Sequence, residues 1–233
     1  MVFGIIVAAG KSLRMGGPIP KQYRLLGDLP VLSRTLSAFD DCPAIDEIIL
    51  VLPAGDQEMC RQRVIDPVSP SKKITPIAGG EKRQESVYQG LLAVRDQEAI
   101  VVIHDGVRPF IQTRHIDACI RGARKTGAVV LGEPVCDTLK MIGNTTIIKK
   151  TVDREHIWSA QTPQAFQYPL IKAAHDRALR DGYMGTDDAV LLERLGTPVK
   201  MIPGSRTNIK ITTRVDLAIA RAFITDPGIL QAN

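Results

Sequence analysis

Apolar, β-branched runs alternate with helical patterns along the 233 residues, and that alternation leaves few architectures open. Strand-type runs fall at 3–8, 47–52, 74–77, 100–104, 128–131 and 199–202. Among them 32–39, 84–94, 114–125, 169–180 and 214–225 read as helices. In the second helix Val87, Leu91 and Val94 recur at i, i+4 and i+7, a spacing that turns one face toward a sheet. Strands joined through helices make βαβ units. The expectation is an α/β fold with a Rossmann-like, mostly parallel sheet flanked by helices. The length suits one domain, 1–233, with one substantial core.

The first strand carries the strongest functional signal. Ile5-Ile6-Val7 runs into Ala8-Ala9-Gly10, and the loop beyond it holds Lys11, Arg14 and Lys21. A glycine-bearing loop at the carboxyl end of a parallel strand brings backbone N–H groups and cations against a polyphosphate. It is not a P-loop, because five strand-like residues, not four, separate Gly4 from Gly10-Lys11-Ser12. The dinucleotide pattern G-x-G-x-x-G is absent too, and the loop reads as a nucleoside triphosphate site.

Composition narrows the partners. A net charge of +5 suits an anionic substrate, but it is modest and dispersed. With one Trp, four Tyr and five Phe there is little for base stacking, so no nucleic-acid partner is expected. The apolar start is too short to span a membrane and has no basic flank. Cys42, Cys60, Cys119 and Cys136 form no C-x-x-C pair, so reduced thiols and a cytoplasmic location are expected.

One stretch breaks the alternation. Two β-rich runs, 138–142 and 146–152, flank Gly143-Asn144 and read as a hairpin. Its mixed polar and apolar residues fit poorly inside a parallel sheet. The expectation is a projecting β-arm at about 133–154, which needs a partner to cover it, and hence a homodimer.

Three further places can carry chemistry. The strand 100–104 runs into Asp105, which in an open α/β sheet lies on the same edge as the Gly10 loop. A lone carboxylate facing a triphosphate suits Mg²⁺, while a turn or helix-cap role is the plainer reading. Gly79-Gly80, with Ser86 a turn later, either admits a flat ligand close to the backbone or only turns the chain. Lys210, amid apolar residues, is either a snorkelling surface group or an inward cation for a phosphate. His104, His115, His156 and His175 lack zinc spacing, and no G-x-S-x-G elbow occurs.

Taken in order, these pieces resemble the 2-C-methyl-D-erythritol 4-phosphate cytidylyltransferase family over roughly residues 3–223. The matching residues are Ala8-Ala9-Gly10-x-x-x-Arg14-Met15, Pro20-Lys21-Gln22-Tyr23, Gly79-Gly80, Arg83, Ser86-Val87 and His104-Asp105 with Arg108-Pro109. They continue with Asp137-Thr138, Thr151-Val152-Asp153-Arg154, Trp158, Thr162-Pro163-Gln164, Thr186-Asp187-Asp188 and Asn208-Ile209-Lys210. The first block is shared with many sugar-nucleotide pyrophosphorylases; the stretch from Thr151 to Gln164 is much more restrictive.

The resemblance implies a fold of the nucleotide-diphospho-sugar transferase type and transfer of CMP from CTP to methylerythritol phosphate. It also implies Arg14, Lys21 and Lys210 as catalytic cations, and Ala8, Ala9, Gly10, Gly80, Ser86 and Asp105 as nucleotide-binding residues. Asp105 would be the carboxylate that engages Mg²⁺. Arg108, Thr138 and Arg154 would receive the acceptor, the last two from the arm of a second subunit. Two departures stand out: Ser12 where the family often has glycine, and Gly106-Val107 where it often has two alanines. The latter pair is closer to some ribitol 5-phosphate cytidylyltransferases, the nearest alternative. A catalytically silent nucleotide-sensing module is the alternative from another class.

Overall fold

The computed structural model describes residues 1–10, 12 and 15–230. In chain order the strands are β1 (Val2–Val7), β2 (Glu47–Leu52), β3 (Lys73–Ala78), β4 (Ile100–Asp105) and β5 (Ala128–Pro134). They continue with β6 (Lys140–Ile142), β7 (Ile148–Thr151), β8 (Trp158–Gln167) and β9 (Lys200–Pro203). The principal helices are α1 (Val31–Asp40), α2 (Arg83–Leu92), α3 (Thr113–Thr126), α4 (Tyr168–Arg180), α5 (Ala189–Glu193) and α6 (Arg214–Thr225). Seven strands form one sheet in the order β9-β5-β8-β4-β1-β2-β3. All neighbours are parallel except β8, which runs antiparallel to both β4 and β5.

Period-two side-chain alternation gives this sheet two apolar faces. Ile6, Ile48, Leu50 and Val102 point to the face covered by Leu36 and Phe39 of α1 and by Ile116 and Ile120 of α3. Ile5, Ile49, Val51 and Ile103 point to the other, under Val87 and Leu91 of α2 and Ile171 and Ala174 of α4. Gly90 lets α2 lie close on the sheet, since a Cβ there would stand 2.6 Å from Ile5 Cγ2. A third cluster, with Met15, Val107, Phe110, Ile211 and Leu217, gathers α6 and neighbouring loops.

The expected mostly parallel sheet and its flanking helices are present, with element ends coinciding or shifted by up to three residues. The antiparallel β8 was not among the expected strands. Ser159, Gln161, Thr162, Pro163 and Gln164 give it a polar, proline-containing sequence, and its pairing with β5 shifts register between Ala160 and Gln164. Three of those polar side chains, Gln161, Thr162 and Gln164, are buried and belong to the site described below.

The expected hairpin is also there, shorter than its β-rich runs. β6 and β7 pair antiparallel with a register shift at Met141/Ile142 and form a two-stranded sheet of their own. Every residue of both strands is exposed.

Phe39 is fully buried, with its ring centroid 5.1 Å from that of His104. Truncating a buried aromatic leaves a cavity and costs about 3–5 kcal/mol. Phe39→Ala is therefore expected to lower the urea midpoint by that equivalent with the denaturant slope unchanged; a loss below about 1 kcal/mol contradicts this packing.

Candidate active site

Strand register sets the site. Val7 pairs with Asp105 and Val51 in the sheet, so the ends of β1, β2 and β4 lie side by side. Beyond those ends is a cavity of about 160 Å³. Ala8, Ala9, Gly10, Lys21, Gly80, Ser86, Asp105 and Lys210, eight of the residues singled out in the sequence, line it together.

The loop after β1 is stapled from below. Gln22 Nε2 donates to Ala8 O (3.0 Å), and Ser12 Oγ donates to Gln22 Oε1 (3.1 Å). Ser12 Oγ also accepts from Lys21 N (3.0 Å), which ties that lysine to the strand end. Ser12 has φ 57°, the left-handed region that favours glycine, and its hydroxyl bonds hold it there. The family's usual glycine at this position is thereby accounted for. Arg14 and Lys11 lie outside the described residues.

The Gly79-Gly80 turn is braced by Ser86, whose buried hydroxyl accepts from Gly80 N (3.2 Å) and lies 3.1 Å from Lys82 O, where it can donate. This hydroxyl engages the backbone and keeps one accepting lone pair, so Ser86 shapes the turn and also lines the cavity. Gly106 is glycine for packing: a Cβ would stand 2.8 Å from Leu32 Cδ1 and 3.0 Å from Ala8 Cβ. Leu32 and Ala8 therefore explain it without any reference to the acceptor.

Asp105 is the centre. Arg83 Nε donates to its Oδ1 at 2.9 Å, Lys210 Nζ is 2.8 Å from Oδ2, and Arg108 Nε is 3.6 Å from Oδ2. Burial alone would raise the carboxyl pKa, but Arg83, Lys210 and Arg108 together hold it well below the usual carboxylate range. Asp105 is therefore an anion at neutral pH and carries no proton. Arg108 Nη1 donates to Asn208 O at 2.7 Å, and Asn208 Nδ2 donates to Gln161 Oε1 (3.0 Å) and Thr162 O (2.8 Å). These bonds anchor the loop that carries Lys210. Its other end is fixed by a capping box, with Asp216 Oδ2 accepting from Thr213 N at 2.8 Å.

Thr138 and Arg154 lie on and beside the arm, exposed and not lining this chain's cavity. Arg83, which the sequence reading left without a role, proves central. It was legible as the third residue after Gly80, opening a helix that points its first turn at the strand ends. As for a metal, no group of three His, Cys, Asp or Glu stands ready for one among the described residues. The donor set still fits a Mg²⁺ held by one Asp105 oxygen and otherwise by phosphate and water, the usual balance for that ion.

An open α/β sheet with a glycine turn, converging cations and one buried carboxylate at its strand ends is the architecture of a nucleotidyltransferase. The family model for 2-C-methyl-D-erythritol 4-phosphate cytidylyltransferase matches residues 2–226. The chain is 47% identical to the 2-C-methyl-D-erythritol 4-phosphate cytidylyltransferase of Syntrophotalea carbinolica, covering 99% of both, and 46% identical to that of Syntrophus aciditrophicus, covering 96% and 95%. The crystal structure of 4-diphosphocytidyl-2C-methyl-D-erythritol synthase from Anaerococcus prevotii superposes with a TM-score of 0.86 at 33% identity, over 96% of each chain. The chain belongs to the 2-C-methyl-D-erythritol 4-phosphate cytidylyltransferase family.

His104, beside Asp105, is fully buried, and burial pulls its imidazolium pKa down to about 3. The neutral ring donates from Nε2 to Arg108 O (3.2 Å) and accepts at Nδ1 from Thr162 Oγ1 (3.0 Å), which itself accepts from Asp105 N (3.1 Å). An unfolded histidine titrates near ~6.5. This part of the stability is therefore complete above that pH and declines as pH falls toward about 3. Between pH 7 and pH 5 the parent should lose ~2 kcal/mol more than His104→Gln in urea unfolding, and equal losses contradict the assignment.

Proposed function

We propose that this cavity seats CTP, with the triphosphate over Lys21 and Lys210 and the cytidine between the Gly10 and Gly80 turns. The enzyme transfers CMP from CTP to 2-C-methyl-D-erythritol 4-phosphate. A phosphate oxygen of the acceptor bonds to the α-phosphorus in line, the α–β bridging bond breaks, and pyrophosphate leaves with its electrons. The products are 4-diphosphocytidyl-2-C-methyl-D-erythritol and pyrophosphate.

The observation that carries this reading is the meeting of Lys21, Lys210 and Asp105 on one cavity with both glycine turns. The acceptor oxygen is anionic at pH 7, so no general base is needed, and ionised Asp105 is not one. The barrier is electrostatic: an anion must approach a polyanion while charge builds on the α-phosphoryl oxygens and the leaving group. Lys21 and Lys210 offset that charge from fixed positions, and Arg14 is the third cation of this reading. Asp105 holds Lys210 and Arg108 in place before substrate arrives. Mg²⁺ is the metal in this reading, held by Asp105 and supplying charge neutralisation to the triphosphate.

Arg108, Thr138 and Arg154 are the acceptor contacts in this reading, the last two supplied by a second copy. What supports the homodimer is the arm: it carries Met141, Ile142, Ile147 and Ile148 exposed, with Ile147 at 73%, and two-stranded ribbons are marginal alone. The whole chain, 1–233, acts as one nucleotidyltransferase domain with this arm at 133–154. No helix among the described residues is long and apolar enough to cross a membrane. Four free cysteines, three of them buried, support a cytoplasmic setting.

Pyrophosphate release with CTP and Mg²⁺ tests the reading, with 2-C-methyl-D-erythritol 4-phosphate and ribitol 5-phosphate offered in parallel. Release with the first is expected; release with the second alone overturns the acceptor. In the same assay Lys21→Ala should lower kcat about 10²–10³-fold in a folded protein, and near-parental turnover removes Lys21 from the mechanism.

A further inference from the structure

A second carboxylate is buried behind the cavity wall. Asp188 precedes α5 and is 1% exposed. Arg83 bridges it to the site: Nε donates to Asp105 Oδ1 at 2.9 Å, and Nη1 donates to Asp188 Oδ2 at 2.8 Å. One guanidinium thus joins a carboxylate that lines the cavity to one that does not. Asp188 is itself fixed to the sheet, because its N–H and that of Ala189 both donate to Gln164 Oε1 (3.2 Å each).

As a source of stability this pair is poorly made. Among the described residues Arg83 Nη2 has no hydrogen-bond partner, and Asp188 Oδ1 has only His175 Nε2, at a long 3.3 Å. Removing charges from water costs several kcal/mol per ion and is repaid only by excellent geometry with every polar atom satisfied. The arrangement makes better sense as a means of orienting Arg83. A guanidinium held at Nη1 by Asp188 has the direction of its Nε–H fixed, and Asp105 takes that donor at Oδ1. Oδ2 is left for Lys210, at 2.8 Å. Released from Asp188, the plane of Arg83 would be free to turn until Nε and Nη2 both meet Asp105, the usual bidentate geometry, and displace the lysine.

We infer that Asp188 is a positioning residue: through Arg83 it sets the rotation of Asp105, and so the place of Lys210 against the α-phosphate. The inference rests on the transfer reaction proposed above. Misplacing a reacting group by about 1 Å can cost up to 10²-fold, and Lys210 is displaced here without being removed.

The test is a double-mutant cycle on kcat with Asp188→Asn and Arg83→Gln, run beside the parent enzyme, with melting temperatures recorded. Asp188→Asn retains the size and the backbone bonds to Gln164. It is expected to lower kcat about tenfold in the parent background and less than about twofold in the Arg83→Gln background. Equal factors in both backgrounds overturn the inference, because Asp188 would then act independently of Arg83. A kcat within twofold of the parent for folded Asp188→Asn overturns it as well. Where Asp188→Asn does not fold, Arg83→Lys replaces it: one ammonium nitrogen does not reproduce two donors held apart on a planar fork, so kcat should again fall about tenfold, and an unchanged kcat overturns the inference. A parent enzyme without turnover would count against the transfer reaction instead.

Discussion

A single buried carboxylate, Asp105, draws Arg83, Lys210 and Arg108 to one point at the end of β4. Without it, three cations would crowd one another beside a cavity wall and spread outward into water. With it, they are held in a low-dielectric setting where their field on an incoming phosphate is strong. The anion itself stays ionised because burial, which opposes its charge, is outweighed by these partners. In the proposed reading the cations are therefore already gathered when a triphosphate arrives.

The sheet supplies the rigidity that this cluster needs. Asp105 sits opposite Val7 in register, so the carboxylate and the Gly10 turn share one edge with no freedom between them. The antiparallel β8 adds the second support. Thr162 receives Asp105 N–H, Gln161 and Thr162 hold Asn208, and Gln164 holds the turn at Asp188. One polar strand inserted among apolar ones thus reaches Asp105 directly and Lys210, Arg108 and Arg83 through their neighbours. Its buried polar groups are costly in isolation and affordable here because most are paired.

Much of this was legible in the residues. Apolar runs ending in Ala8-Ala9-Gly10 and His104-Asp105 place both turns on one edge once the sheet is parallel, and Gly143-Asn144 marks the hairpin. Periodicity could not reveal β8, whose Gln161, Thr162 and Gln164 are buried for their hydrogen bonds and not for hydrophobicity. Nor could it reveal that Arg83 spans to Asp188, since the two are 105 positions apart and meet only through the packing of α2 against the α4–α5 corner. Ser86 was legible at the cavity, which it does line, but the bracing of its own turn by its hydroxyl was not. Such long-range polar pairings leave no local pattern, because nothing in the neighbouring residues needs to change to allow them.

The central claim is that the charge on Asp105 organises the cations for turnover. The direct measurement is kcat for Asp105→Asn, with equilibrium CTP binding measured on the same folded protein without acceptor. The asparagine keeps the shape and removes the charge. The account predicts a fall in kcat of about 10²-fold or more, with CTP bound more weakly because the cations are no longer gathered and the carboxylate that would hold Mg²⁺ is lost. Turnover within a few-fold of the parent in the folded variant would contradict it.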